Sequence, residues 1–228
     1  MKNKTILITG ASSGIGAATA KAFSEAGYSV AMLARNKSTM EQFQIPNSIS
    51  IECDVTDIES VKNAVNQAQE KFGRIDCLIN NAGFAKGGEF TEVSHQDNQT
   101  MINVNLSGVV NCIQSVLPDM QKNKSGTIIN ISSIADRKSR PTLPVYAATK
   151  AAVKSLSESL RTANAKHGIR ICNVAPAKIK TPLLMSSNLS DDQIIQVEDM
   201  AKTILWIYQQ PQTVCIRDIV IAPTYYEA

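Results

Sequence analysis

The sequence predicts an α/β fold in which a parallel sheet is covered by helices on both faces. Short β-branched runs alternate along the chain with longer stretches of helical periodicity. Glycines stand where several helical stretches end, as is common after helix C-termini. The chain has 228 residues, 43% of them hydrophobic, which is enough to bury a core. Because it shows no internal repeat or linker, we expect a single domain over residues 1–228.

The first half of the chain contains four predicted strands and two predicted helices. Apolar, β-branched runs predict strands at 5–8, 28–34, 48–53 and 75–79. An Ala-rich stretch predicts a helix at 14–26, ended by Gly27, and a second periodic stretch predicts one at 58–72, ended by Gly73. Each helix therefore lies between two strands, as a parallel sheet requires.

The second half continues this alternation and then loses it. Helices are predicted at 100–117, 145–167 and 198–208, and strands at 126–131, 169–174 and 214–221. The first of these helices is expected to end at Pro118, since proline lacks a backbone N–H. The polar segment after Pro176 follows the carboxyl end of a strand, where open α/β sheets bind ligands. We therefore expect a short substrate loop at about 178–197.

Composition and charge exclude several classes of partner. A net charge of +3 without a long Lys/Arg block argues against nucleic acid. No stretch approaches the roughly 20 apolar residues of a membrane span. The five cysteines are scattered, odd in number and without a CxxC pair, which suggests no disulfide framework and a reducing, cytoplasmic location. His95 and His167 form no ligand cluster with them, so no metal and no metal-dependent alcohol dehydrogenase is expected.

A glycine-rich loop follows the first strand and begins the first helix. Glycine lets the backbone approach a pyrophosphate, and the helix N-terminus supplies unpaired N–H groups. The alternative is a tight strand-to-helix turn without a ligand. The spacing is GxxxGxG, and its candidate cofactor-binding residues are Gly10, Ser12, Ser13, Gly14, Ile15 and Gly16.

The end of the second strand indicates which nicotinamide cofactor binds. An acid about 20 residues after the loop would hold an unphosphorylated ribose, whereas an arginine would accept a 2′-phosphate. No acid lies between Glu25 and Glu41, and the strand ends in Arg35 and Asn36. A guanidinium pairs bidentately with phosphate, so we expect NADP(H) and not NAD(H). The alternative is a solvated arginine at a strand end.

Tyr146 and Lys150 are the candidate reacting pair. Their i, i+4 spacing places phenol and ammonium on one helix face. Because a nearby ammonium stabilises phenolate, we expect the pKa of Tyr146 to fall from about 10 towards neutrality. Ser133, just after the fifth strand, can present its hydroxyl beside the phenol, whereas strand alternation points Ser132 the other way.

With these residues, further motifs make the sequence resemble a single-domain, NADP-dependent short-chain dehydrogenase/reductase over essentially its whole length. The resemblance implies a Rossmann fold with about seven parallel strands in the order 3-2-1-4-5-6-7. The matching residues are the loop 9–16, Asp54, Val55, Asn80, Asn81, Ala82, Gly83, Asn105, Ser133, Tyr146, Lys150, Pro176 and Thr181.

The resemblance implies that Tyr146 is the general acid or base, with Ser133 bonded to the substrate oxygen. Lys150 would hold the nicotinamide ribose, and Asn105 would order a water that relays protons to it. The cofactor would lie over Asn81, Ala82 and Gly83, with Asp54 and Val55 at the adenine and Pro176, Ile179 and Thr181 at the nicotinamide. In isolation, Asn81 is more typical of a turn residue, and Asn105 is more typical of a buried polar residue in a helix.

Two positions depart from the family pattern. Ala177 replaces a usual glycine after the sixth strand, and Asp136 stands where glycine is frequent. Neither is expected to touch the reacting groups, although both bear on the shape of the pocket.

The substrate is expected to be a small carbonyl or secondary alcohol. Arg137, Lys138 and Arg140 either form a solvated loop or attract an anion, such as a 3-hydroxy or 3-oxo acid or an acyl thioester on an acidic carrier. The segment 217–223 also resembles the end of NADP-dependent 3-hydroxy acid dehydrogenases of the serine type.

Two further alternatives concern assembly and activity. Small residues on the helices at 100–117 and 145–167 allow close packing, and the resemblance implies a homodimer or homotetramer. Packing against the sheet would explain the same residues, which are Gly108, Ala147, Ala148, Ala151 and Ala152. The rival to an enzyme is a redox sensor that binds NADP(H) without catalysis.

Overall fold

A computed structural model of the chain describes residues 4–181, 190 and 193–226. Its strands are β1 (Thr5–Thr9), β2 (Ser29–Ala34), β3 (Ser48–Glu52), β4 (Ile75–Asn80), β5 (Gly126–Ile131), β6 (Ile169–Pro176) and β7 (Asp218–Ile221). Its helices are α1 (Gly14–Glu25), α2 (Lys37–Glu41), α3 (Ile58–Phe72), α4 (His95–Ile102), α5 (Gly108–Lys122), α6 (Pro144–Asn164) and α7 (Val197–Gln209).

The described strands form one parallel sheet in the order β3-β2-β1-β4-β5-β6-β7. The predicted fold class and strand order are therefore confirmed. The chain builds outward from β1 to β3 and then returns to place β4 on the other side of β1. This reversal of order leaves a crevice at the carboxyl ends of β1 and β4, which is where such sheets bind ligands.

Apolar cores lie on both faces of the sheet, because alternate strand residues point to opposite sides. On one face, Leu7 and its neighbours pack against α3, α5 and α6. On the other, Ile6 and Ile8 pack against α1 and α7. Burial on both faces explains why the strand sequences are almost continuously apolar, and it holds the loops at the strand ends on a rigid base.

Helix α5 continues through Pro118 to Lys122, so the predicted end at Pro118 is wrong. Proline removes one N–H from the helix and disfavours the helical interior. Here the last turn is retained because Val116 and Met120 are buried in the core and Ser125 donates its backbone N–H to the Met120 carbonyl. Tertiary burial outweighs the local preference.

The predicted helix at 100–117 also begins earlier and is divided. It starts at His95, where the Ser94 hydroxyl accepts from the Asp97 backbone N–H at 3.0 Å. A π-helical segment, Asn103–Ser107, separates α4 from α5. Such π-helical segments are rare in proteins, and those that occur often lie near functional sites.

Two smaller differences lie elsewhere in the chain. The short helix α2 was not predicted, although Asn36 is a favourable N-cap and accepts from the Thr39 N–H at 3.2 Å. The last strand starts at Asp218 and not at 214, because Val214 donates to Pro211 in a turn just before it.

The predicted substrate loop at 178–197 falls largely outside the described residues, which omit 182–189 and 191–192. At its two ends, Ile179 pairs with Ile195 in a parallel bridge. Ile195 donates to the Lys178 carbonyl and accepts from Lys180, both at 2.9 Å. Among the helices of the described ranges, none is long and apolar enough to cross a bilayer.

Candidate active site

A cleft of about 1650 Å³ opens at the carboxyl ends of the strands. Its volume exceeds the roughly 300–1,000 Å³ of an ordinary small-molecule site, so it has room for a dinucleotide together with a substrate. Most of the predicted site residues line it, namely Gly10, Ser12, Ser13, Gly14, Ile15, Arg35, Asn36, Asp54, Val55, Asn81, Ala82, Gly83, Ser133, Tyr146, Lys150, Pro176, Ile179 and Thr181. The two exceptions are Gly16 and Asn105.

The glycine-rich loop is shaped by backbone conformations that favour glycine. Gly10 and Gly14 have φ angles of +65° and +53°. A Cβ atom on Gly10 would lie 2.8 Å from the Cα of Ala82, which is too close for any side chain. The loop therefore lies directly against the segment after β4, with the N-terminus of α1 facing the cleft.

Gly16 does not line the cleft and instead allows close packing behind it. A Cβ on Gly16 would lie 2.4 Å from the Gly10 carbonyl oxygen and 2.6 Å from Asn81 Nδ2. The missing side chain of Gly16 makes room for the loop itself, and its predicted part in cofactor binding stays a prediction.

Asn81 fastens the loop to β1. Its Nδ2 donates to the carbonyls of Thr9 and Gly10 at 3.0 and 3.2 Å. The hydroxyl of Thr9 accepts in return from the backbone N–H groups of Asn81 and Ala82, both at 3.0 Å. The side chain of Asn81 is thus committed to structure, while its segment still forms part of the cleft wall.

At one end of the cleft, Arg35 is exposed and lies just after β2. Its neighbour Asn36 is engaged as the N-cap of α2. Among the described residues, Arg35 has no carboxylate partner. Close by, Asp54 accepts from the backbone and hydroxyl of Thr56 at 2.9 and 2.8 Å, which fixes the carboxylate at the cleft wall.

Ser133, Tyr146 and Lys150 meet at the other end of the cleft. The Ser133 hydroxyl is near enough to the Tyr146 phenol to lower its pKa, and it accepts from the Ala135 N–H at 3.1 Å. The Lys150 Nζ lies 5.7 Å from the centroid of the Tyr146 ring and donates to the Ile131 carbonyl at 2.9 Å. The end of β5 and the first turns of α6 therefore bring the three groups together.

Burial is the largest influence on the pKa values of Tyr146 and Lys150. It raises the pKa of Tyr146, although the Ser133 hydroxyl and the charge of Arg140 act to lower it. It lowers the pKa of Lys150 from 10.5 to about 8, against the opposing effect of Asp136. The expected fall in the Tyr146 pKa is therefore wrong in direction. A phenol with a raised pKa stays protonated near neutral pH, which is the form that donates a proton.

Asn105 is fully buried in the π-helical segment behind the cleft. Its amide accepts from the Phe84 N–H and donates to the Phe84 carbonyl, both at 2.8 Å, and its Nδ2 lies 3.3 Å from the Thr149 hydroxyl. The side chain thus ties the loop after β4 to α6. A role of Asn105 in ordering a water stays a prediction.

Asp136 influences the electrostatics of the site through its charge, while its side-chain hydrogen bonds are to residues other than the reacting ones. Its side chain is buried and accepts from Ser132 Oγ and Asn173 Nδ2, both at 2.9 Å. Its negative charge raises the pKa of both Lys150 and Tyr146. Sequence reasoning missed this role, because the contact with Asn173 joins residues far apart along the chain. The Ser132 hydroxyl is bonded to Asp136 and to the Lys150 carbonyl, at 2.9 and 3.2 Å.

The three basic residues between Ser133 and Tyr146 have different surroundings. Arg137 pairs with Asp136 at 2.6 Å and with Asp218 at 2.7 Å, and these bonds raise its pKa. Lys138 is exposed and does not line the cleft. Arg140 does line it, and its guanidinium donates to the Tyr226 hydroxyl.

Lys178 and Tyr226 are among the cleft residues that sequence reasoning did not identify as site residues. Lys178, after β6, and Tyr226, after β7, line the same end as Arg140. Only the order of the strands could have placed them together. Ala177, which stands where the family usually has glycine, donates its backbone N–H to the Ile221 carbonyl at 2.8 Å. This bond fixes the backbone beside Pro176.

The residues present fit a phosphorylated dinucleotide. Positive-φ glycines and the N-terminus of α1 offer backbone N–H groups to a pyrophosphate. Arg35 offers a guanidinium at one end of the cleft, and the Ser133–Tyr146–Lys150 group lies at the other. Among the described residues, no group of three or more His, Cys, Asp or Glu could hold a metal ion.

Comparison with known proteins places the chain in a well-populated group. Residues 4–192 match the family described as short chain dehydrogenase. An uncharacterized oxidoreductase of Staphylococcus aureus (strain MW2) is 32% identical over 229 residues, covering 98% of each chain.

Solved structures share the fold closely. A 3-ketoacyl-(acyl-carrier-protein) reductase from Brucella melitensis complexed with NADH has a TM-score of 0.92 at 27% identity, covering 98% of each chain. The closed form of a serine dehydrogenase complexed with NADP+ has a TM-score of 0.92 at 26% identity, covering 98% of this chain and 96% of the other. Other similar structures hold NADP, NADPH or 5-hydroxy-NADP.

Proposed function

Because this chain belongs to the short-chain dehydrogenase/reductase family and is thus an oxidoreductase, we propose that it interconverts a carbonyl and a secondary alcohol with NADP(H). The observation that carries this proposal is the meeting of Ser133, Tyr146 and Lys150 in the cleft that the glycine-rich loop also lines. The preference for the phosphorylated cofactor rests on Arg35, which lines the cleft without a carboxylate partner among the described residues.

Each residue of the site then has a chemical task. In carbonyl reduction, the nicotinamide supplies a hydride to the carbonyl carbon when it is bound. Ser133 donates a hydrogen bond to the carbonyl oxygen, where negative charge develops. Tyr146 gives its phenolic proton to that oxygen, so that the product is a neutral alcohol. Lys150, held by the Ile131 carbonyl, supports the phenolate that remains.

The raised pKa of Tyr146 sets the pH at which each direction works. Reduction requires the protonated phenol, so its rate falls as pH rises through the Tyr146 pKa. Oxidation requires the phenolate as base, so its rate rises over the same range. The physical basis is burial, since an apolar surrounding disfavours the charged phenolate.

For the substrate, we propose a small and anionic class, either a 3-hydroxy or 3-oxo acid or the corresponding acyl thioester. Arg140 supports this choice because it lines the cleft, where its positive charge also acts to lower the pKa of Tyr146. Arg137 is neutralised by two carboxylates and contributes little to such attraction.

Replacing Tyr146 with Phe tests the mechanism. NADPH absorbance is followed with a panel of oxo acids, acyl thioesters, aldehydes and diketones. We expect Tyr146→Phe to bind NADPH but to lose at least about 100-fold in kcat, as is typical when a general acid is removed.

The matched control is Tyr225→Phe, since Tyr225 is 76% exposed and lies outside the cleft. This variant should keep full activity. An active Tyr146→Phe protein would contradict the mechanism. A wild type that binds NADPH and reduces nothing in the panel would favour the redox-sensor alternative.

A further inference from the structure

Two cationic side chains meet over one tyrosine ring beside the reacting groups. Lys178 Nζ lies 5.5 Å from the centroid of the Tyr226 ring, and the guanidinium carbon of Arg140 lies 6.0 Å from it. Arg140 also donates a hydrogen bond to the Tyr226 hydroxyl. The ring attracts both cations, yet the two like charges repel each other. An anion bound between them would relieve that repulsion.

The charges of the cleft are separated along its length. Its described acidic residues, Glu41, Glu52 and Asp54, lie at the end near β2 and β3. Arg140 and Lys178 lie at the opposite end, next to β5 and β6, where no described lining residue is acidic. No ion pair between described residues involves either of these two cations. Their charges are therefore available to a ligand.

Arg140 differs from the other two basic residues between Ser133 and Tyr146. Arg137 is held by Asp136 and Asp218, and Lys138 is exposed outside the cleft. Arg140, in contrast, is partly buried, and its charge acts on the phenol of Tyr146. A group bound at Arg140 is thus close enough to the reacting hydroxyl to belong to the same small molecule.

We propose that Arg140, Lys178 and Tyr226 bind the carboxylate of a short 3-oxo or 3-hydroxy acid and so determine the specificity of the cleft. The inference rests on the proposed function, and it commits to a free carboxylate and not to a carrier-bound thioester. Arg140 supplies guanidinium N–H donors, Lys178 an ammonium and Tyr226 a hydroxyl. With the carboxylate held there, the carbonyl is directed towards Ser133 and Tyr146.

Kinetics with matched acid and ester test the site. The substrates are 3-oxobutanoate, its methyl ester and 3-oxobutanoyl-CoA, and the measured quantity is kcat/KM with NADPH. We expect the wild type to prefer the acid over the ester and the thioester, because these two lack the free carboxylate. In Arg140→Gln and Lys178→Gln, the ratio of acid to ester should fall about tenfold or more, as for the loss of a charged hydrogen bond.

The control is Lys138→Gln, which removes a positive charge from the same loop outside the cleft. It should leave the ratio unchanged. Tyr226→Phe keeps the ring under both cations and removes only the hydroxyl, so it should lower the ratio less than Arg140→Gln does. An unchanged ratio in both charge variants, or a wild-type preference for the ester or the thioester, would overturn the proposal.

Calorimetry separates this inference from the proposed function. Butyrate is a short carboxylate without a carbonyl to reduce, and its binding is measured on the protein with NADP+ present. We expect it to bind the wild type and to bind Arg140→Gln at least about tenfold more weakly. Butyrate binding that is insensitive to Arg140 refutes the carboxylate site even in an active enzyme. Binding that is lost in Arg140→Gln supports the site even if none of the substrates is reduced, an outcome that would refute only the proposed function.

Discussion

Lys150 is a lysine held away from water, with only 5% of its surface exposed. Its ammonium has the Ile131 carbonyl as its acceptor and lies over the Tyr146 ring. Burying a charge is unfavourable, which is why its pKa falls to about 8. The residue that serves the proposed chemistry is therefore one that destabilises the fold near neutral pH.

This cost predicts a pH dependence of stability. Unfolding returns the pKa of Lys150 from about 8 to 10.5, so the unfolded chain binds the proton more tightly. The destabilisation of the folded state by the buried Lys150 ammonium is complete below pH 8 and disappears as the pH rises to 10.5. Relative to Lys150→Met, the free energy of unfolding of the cofactor-free wild type should rise by up to about 3 kcal/mol across that range.

Urea denaturation of both proteins at a series of pH values measures this difference. Subtracting the variant cancels the titration of the other lysines, which both proteins share. Curves that stay parallel from pH 8 to pH 10.5 would show that the Lys150 ammonium is not destabilised by burial.

Arg35 is the residue on which the proposed cofactor preference rests. Arg35→Asp replaces the guanidinium proposed to pair with a 2′-phosphate by a carboxylate, which would repel the phosphate and accept from a 2′-hydroxyl. The ratio of kcat/KM for NADPH over NADH should fall by at least about tenfold, the equivalent of 1.4 kcal/mol. Lys37→Asp, in the next helix, is the comparison, and it should change the ratio less. A ratio unmoved by Arg35→Asp would disprove the assignment.

At the scale of elements, the junction of β1, α1 and the segment after β4 forms the part of the cleft where we expect the cofactor pyrophosphate to bind. Its shape depends on absent side chains, since Gly10 and Gly16 each leave room for backbone. The sequence shows the glycine spacing, but it does not distinguish the glycines that face a ligand from the one that packs behind the loop. That distinction requires the position of Asn81, which lies more than 60 residues further along the chain.

Gly16→Ala tests this packing. The new Cβ would lie within 2.6 Å of both the Gly10 carbonyl and Asn81 Nδ2, so the loop must move. We expect stability to fall by about 1–3 kcal/mol and NADPH affinity to fall as well. Thermal denaturation and fluorescence titration with NADPH give the two values.

The comparison variant is Gly126→Ala, at the amino end of β5 and away from the cleft. Its Cβ would meet the Met120 side chain, which costs stability without disturbing the loop. NADPH should therefore bind this variant with wild-type affinity. Equal NADPH affinity in Gly16→Ala and the wild type would contradict the packing role of Gly16.

At the scale of the whole molecule, an apolar groove lies between α4 and α6 on the surface. It is lined by Ile102, Leu106, Pro144, Val145, Ala148 and Thr149. Ala148, which lines the groove, is exposed, and so is Ala151 in the same helix, as an interface of small residues requires. Gly108 is predicted for the same surface, but it is buried in the interior. A Cβ at this position would lie 2.7 Å from Val55 Cγ2. Assembly into a homodimer or homotetramer through this groove stays a prediction.

Ala148→Glu addresses that prediction. A charge in the middle of an apolar interface is strongly unfavourable, so the variant should be monomeric while the wild type is at least a dimer. Light scattering reports the mass, which is 24.7 kDa for one chain. Asn63→Glu, on the exposed face of α3, adds the same charge elsewhere and should not change the assembly. A monomeric wild type would refute the interface.

The sequence by itself determined the strand pattern, the glycine-rich loop and the Ser133, Tyr146 and Lys150 set, because periodicity, glycine spacing and i, i+4 spacing are local properties. It failed at Pro118, where burial of Val116 and Met120 outweighs the local preference to end a helix. Local patterns record what a segment favours alone, and they do not record what packs against it.

Only the tertiary structure decided the electrostatics and the far end of the cleft. The direction of the Tyr146 pKa depends on burial, which neighbours distant in sequence impose. Arg140 and Tyr226 are 86 residues apart, and they meet because β5, β6 and β7 are adjacent in the sheet. Charge interactions and desolvation depend on distances in space, so no spacing along the chain could have placed these groups together.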